Sequence, residues 1–85
     1  MSNKAIYNLA VGLTLRDLQE QRHIKRESLA KALEISDLAV TRIENGSERM
    51  TAGEMILLIE SLGLSWNDFL DRVKGNLEQA KAEMA

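Results

Sequence analysis

The 85-residue sequence predicts an all-α fold, and three observations carry that prediction. There is no proline, and with one Trp, one Tyr and one Phe in a chain that is 45% hydrophobic the core must be aliphatic, which suits small packed helices better than strands. Two stretches, Thr51-Ala-Gly-Glu54 and Ser65-Trp-Asn-Asp68, have the hydroxyl-to-carboxylate spacing of a capped helix N-terminus. Between the first helix and these caps, RESLAKALEISDLAVTRIENG (Arg26 to Gly46) reads as two short helices joined by a tight turn and followed by a sharp stop. A chain of this length forms one small core. The expected organisation is therefore one domain over residues 1–75 with a helical tail over 76–85.

In chain order, residues 3–22 form a first helix carrying Ile6, Leu9, Ala10, Leu15 and Leu18. Gly12 interrupts it at about 1 kcal/mol relative to Ala, and marks a kink or a close helix contact. The apolar segment Ala5 to Val11 lengthens this helix or packs on the core or on a second subunit. The next helix, from Arg26, turns Leu29, Ala30 and Leu33 inward, and Ser36 caps a third that runs from Asp37 to Asn45. At about 100° per residue, Ala39, Val40 and Ile43 share one side of it, and Asp37, Leu38, Thr41, Arg42 and Asn45 the other. One face is suited to burial and the other to presentation, which is a helix-turn-helix over residues 26–45 with its second helix as the reading element. Gly46 stands where the chain must take a positive φ.

From Met50 the signals are local and strong. Thr51 to Glu54 is a capping box with Met50 and Met55 at staple spacing, and the helix continues through Leu58, Ile59 and Leu62 to a stop at Gly63. Ser65 caps the next in the same way, with Leu64 and Phe69 as staple and Trp66, Phe69, Leu70 and Val73 leading to Gly75. The tail, Asn76 to Ala85, places Leu77, Ala80 and Met84 on one side. A helix that short is not stable alone in water, so it frays or docks.

Composition excludes several function classes. With no cysteine there is neither a disulfide nor a thiolate metal site. The start Met-Ser-Asn-Lys lacks the apolar run of a signal peptide, which leads to the expectation of a cytoplasmic protein. The run Met55 to Ile59 is far shorter than the ~20 residues that span a bilayer, so no membrane association is expected. His23 is the sole histidine and has no nucleophile or carboxylate pair to work with; no catalytic residue, metal, cofactor or small-molecule ligand is expected. The net charge of −2 hides a split: residues 1–49 hold eight Lys/Arg against seven Asp/Glu, or +1, and residues 50–85 hold three against six, or −3. An anionic partner is expected on the first half.

The stretches SLAKALEIS and VTRIENG, at this spacing and followed by two more capped helices, resemble the Cro/C1-type (XRE-like) family of repressors over roughly Val11 to Val73. The resemblance implies a five-helix, lambda repressor-like DNA-binding domain, here with a C-terminal helical extension. Several positions depart from the family's pattern. His23 stands where the family has a helix-ending Gly, Lys25 where a Ser or Asn cap is usual, and Arg26 where a Gln supports the reading helix and touches phosphate. Glu44 matches a Glu that commonly pairs with a first-helix Arg; that position is Gln19 here, leaving Gln19 or Arg16 as its partner. Asp37-Leu38-Ala39 replaces polar, base-reading residues.

The resulting expectation is a transcriptional regulator that binds double-stranded DNA as a homodimer, a repressor reading a palindromic operator through residues 37–45. Arg42 is the principal base contact, because bidentate Arg to guanine is the commonest specific pairing, with Thr41, Leu38 and Asp37 beside it. Arg26, Lys25, Asn45, Ser47 and Arg49 are the expected backbone contacts. Since relatives pair through their last helices, Trp66, Leu77 and Met84 are the expected dimer contacts, with Phe69 and Leu70 assigned to the core. The alternative is a protein-binding adaptor or antitoxin-type partner that keeps the fold with weak or no base reading, suggested by the acidic balance and the Asp37-Leu38-Ala39 run.

Overall fold

The computed structural model describes residues 3–85, so Met1 and Ser2, the start of the expected domain, lie outside the described residues. The architecture is all-α: α1 (Asn3–Arg22), α2 (Arg26–Leu33), α3 (Asp37–Glu44), α4 (Ala52–Leu62), α5 (Trp66–Gly75) and α6 (Leu77–Met84). Helix α1 is the axis of the molecule. It packs against α3, α5 and α6, while α2 joins α3 to α4. Serving three neighbours requires an apolar band wider than one stripe. Leu13, Gly12 and Thr14 are accordingly buried along with Leu9, Ala10, Leu15 and Leu18. Thr14 is tolerated there because its hydroxyl donates to the Ala10 carbonyl at 2.8 Å and accepts from Asn76 Nδ2 at 3.0 Å.

The helix ends follow local chemistry. Ser36 Oγ accepts from Ala39 N at 3.0 Å, and Thr51 and Glu54 make both halves of a capping box. Ser65 accepts from Asp68 N, the forward half of the same motif. Lys25 offers α2 no side-chain cap. Four helices stop in one way, with a residue at positive φ and the following N–H reaching back five residues: Ile24 to Gln19, Ile35 to Ala30, Ser47 to Arg42 and Leu64 to Ile59. Gly46 and Gly63 fill two of these positions at no steric cost, whereas His23 (φ 55) and Glu34 (φ 58) fill the others. The left-handed His23 was expected; Glu34 was not.

Gly12 is a close helix contact rather than a kink. A Cβ at this position would overlap the Ile43 carbonyl oxygen outright and stand 2.9 Å from that of Glu44. The missing side chain therefore sets how near α3 lies to α1.

The tail docks. Ala80 is fully buried and Leu77 and Met84 pack against the core, so α6 closes the N-terminal half of α1, where Ala5 and Leu9 border Glu83 and Met84. The segment Ala5 to Val11 thus both lengthens α1 and receives α6. Among the described residues no helix is long and apolar enough to cross a membrane.

Candidate nucleic-acid interface

Helix α3 is held from behind and open in front. Val40, Ile43 and Glu44 are buried, whereas Asp37, Leu38, Arg42 and Asn45 are exposed and Thr41 is half-buried. Ser36 caps its first turn, and at the other end Gly46 and Ser47 donate to the Ile43 and Arg42 carbonyls. Both ends of an eight-residue helix are thereby satisfied, which fixes the orientation of its outer face.

The buried Glu44 carboxylate anchors α3 to both preceding helices. Gln19 Nε2 of α1 donates to its Oε2 at 2.7 Å, and Arg26 Nη2 of α2 lies 3.1 Å from its Oε1. Arg16 adds a long bond to the Glu44 carbonyl at 3.4 Å. The expected alternatives for Glu44 were Gln19 and Arg16; Gln19 serves the carboxylate, Arg16 only the backbone, and Arg26 supplies the charge. Two departures from the family pattern thus compensate each other: the charge absent from Gln19 on α1 is restored by Arg26 on α2. Both changes were visible in the sequence, and reading them as a pair would have found this contact.

This arrangement alters the expected roles of several residues. Arg26 is paired with Glu44 through Nη2, while its side chain stays 49% exposed. Ser47 lies with its hydroxyl 2.7 Å from Asn45 Oδ1 and 3.2 Å from the Arg42 carbonyl, so its proton is used within the turn. Thr41 Oγ1 likewise donates to the Asp37 carbonyl at 3.3 Å. By contrast, the Arg42 guanidinium, the Arg49 guanidinium, the Lys25 ammonium and the Asp37 carboxylate have no partner among the described residues. Arg22 and Arg72 are engaged, the first on the Leu62 carbonyl at the end of α4, the second on Gln21. Among the described residues, uncommitted cations therefore stand on α3, on the turn that follows it and at the start of α2, as well as at Lys31 and Lys74.

The expected dimer contacts divide. Trp66 is 45% exposed and meets Phe69 edge-on with ring centroids 6.5 Å apart. Leu77 and Met84 are turned toward the core, because docking of α6 on α1 uses their side of the helix. Leu70, assigned to the core from the sequence, is instead 47% exposed, one turn beyond Trp66 on α5, while Phe69 is buried as expected.

A short, doubly anchored helix presenting unpaired polar groups, set in this order of six helices, defines a lambda repressor-like helix-turn-helix DNA-binding domain. The chain belongs to the helix-turn-helix family: the profile described as "Helix-turn-helix domain" matches residues 10–69. Its fold is similar to two crystal structures of the clp gene regulator ClgR from Corynebacterium glutamicum, both at 22% identity. One has a TM-score of 0.79 and covers 92% of this chain and 83% of that one; the other has 0.75, with 84% and 91% covered. No protein of curated function matches the sequence.

Proposed function

We propose that this protein is a sequence-specific transcriptional regulator that acts inside the cell as a homodimer, each α3 entering the major groove at one half-site of a palindromic operator. The observation that carries this reading is the state of Arg42. It is exposed on a helix immobilised by caps and by Glu44, and its donors are unspent, the condition for a bidentate contact to guanine O6 and N7. Lys25 and Arg49, both exposed, are assigned as phosphate contacts. The similarity to a protein named as a gene regulator is in keeping with this role. Dimerisation is assigned to α5, where Trp66 and Leu70 form an exposed apolar pair at i, i+4 spacing. Operator occupancy that blocks transcription is the simplest mechanism for a domain of this size. The exposed, unspent Arg42 on the anchored α3 favours this reading over a protein-binding adaptor, despite the net charge of −2.

The test is selection of duplexes from a random library at two salt concentrations. A palindromic site with half-sites about 10 bp or a multiple apart, weakening steeply with salt, is the expected result. Arg42→Ala should then cost about 1–3 kcal/mol and relax preference at one base pair per half-site. No enrichment by the folded protein at low salt would overturn the proposal in favour of the adaptor.

A further inference from the structure

The hydrogen bonds around α3 restrict what its face can read. A two-point contact to adenine needs an amide with both a donor and an acceptor free, to reach N7 and N6 together. Two amides lie near the face, and both are engaged. Asn45 Oδ1 accepts from the Ser47 backbone at 3.1 Å and lies 2.7 Å from the Ser47 hydroxyl. Gln19 Nε2 donates to Glu44 at 2.7 Å and to the Leu15 carbonyl at 3.3 Å. Thr41 has used its proton on Asp37 and retains a methyl group. What remains is one charged donor, Arg42, the Asn45 amide nitrogen, the acceptors Asp37 and Thr41 Oγ1, and on the same helix Leu38, 57% exposed and one turn before Arg42.

An exposed leucine at that position of a groove-entering helix has one apolar feature to meet in the major groove, the methyl group on C5 of a pyrimidine. Asp37 beside it can accept from a base amino group, that of cytosine or that of adenine. Building on the DNA-binding reading above, we infer that Leu38 is a specificity-determining residue that reads a 5-methylpyrimidine, thymine or 5-methylcytosine, next to the guanine held by Arg42, and that no amide makes a two-point contact to adenine N6 and N7.

The experiment takes the duplex recovered by selection and replaces each thymine singly with deoxyuridine, each cytosine with 5-methylcytosine, and each adenine with 7-deazaadenine. Thymine as the source predicts about a fourfold loss of affinity at one position per half-site on removing the methyl; methylcytosine predicts a gain of about that size on adding it. Substitution at adenine should be silent. Leu38→Ala, a change at an exposed side chain that leaves the core intact, should abolish the response to the methyl group while Arg42→Ala still weakens binding. A selected duplex indifferent to every methyl change, or a response that survives in Leu38→Ala, overturns this inference alone. Failure to select any duplex overturns the DNA-binding reading itself, and this inference with it.

Discussion

The close approach of α1 to the last turn of α3 makes Gly12→Ala the most informative substitution. Helix propensity alone predicts that it stabilises α1 by about 0.5–1 kcal/mol. The packing predicts the opposite. The new Cβ would collide with the Ile43 oxygen and press on that of Glu44, where ordinary carbon–oxygen contacts need about 3.3 Å or more. Neither oxygen belongs to a side chain that can rotate away. Ile43 O accepts from Gly46 N at 3.1 Å in the turn that ends α3, and Glu44 O lies 3.4 Å from Arg16 Nη2. Relief requires α3 to move as a unit, which disturbs the Gln19 and Arg26 contacts to Glu44. Overpacking of this kind costs about 1–3 kcal/mol, and a backbone obstacle places it at the upper end. Net of the propensity gain, the expected loss is about 2 kcal/mol, or about 8–16 °C in Tm for a domain of this size. Urea unfolding followed by circular dichroism measures it as a lower midpoint at constant slope. Gly75→Ala is the control, since nothing lies within 4 Å of a Cβ there, and it should leave stability unchanged or slightly raised. If Gly12→Ala were as benign as Gly75→Ala, the close approach would not be the reason for glycine, and the placement of α3 on α1 would need revision.

Three further outcomes are expected. Glu34→Gly should stabilise the domain by about 0.5–1 kcal/mol, because it releases a left-handed strain of about 1–2 kcal/mol at the cost of a more flexible unfolded chain; a lowered Tm would show that the Glu34 side chain contributes more than its backbone costs. His23→Gly should behave in the same way, measured by the same melt. Arg26→Ala should destabilise by about 1–2 kcal/mol, below the usual cost of breaking a buried pair because the arginine is half-exposed. Combined with Glu44→Gln it should lose less than the sum of the single changes; additivity within about 0.5 kcal/mol would mean that the two side chains do not interact.

The helical boundaries were almost entirely legible in the sequence because they depend on neighbours a few residues away. Ser36, Thr51 and Ser65 cap by reaching three residues on, Gly46 and Gly63 stop helices through their own φ, and the outer face of α3 follows from its period. Glu34 escaped notice because nothing in its side chain signals a left-handed backbone. That conformation is imposed by the short connection between two helices docked on each other and on their neighbours.

What the sequence by itself determined is a set of short amphipathic helices and the helix that would be presented. Tertiary structure decided which groups on that helix remain free. The partners of Glu44 come from residues 25 and 18 positions away in the chain, and no local rule chooses among Arg16, Gln19 and Arg26 until α1 and α2 are in place. The same holds for the tail. Leu77 and Met84 could have met a second chain or their own, and the docking of α6 on α1 turned them inward while leaving Trp66 and Leu70 exposed. Caps and periods are short-range properties of the backbone, whereas burial and charge pairing depend on which surfaces meet once the chain has folded.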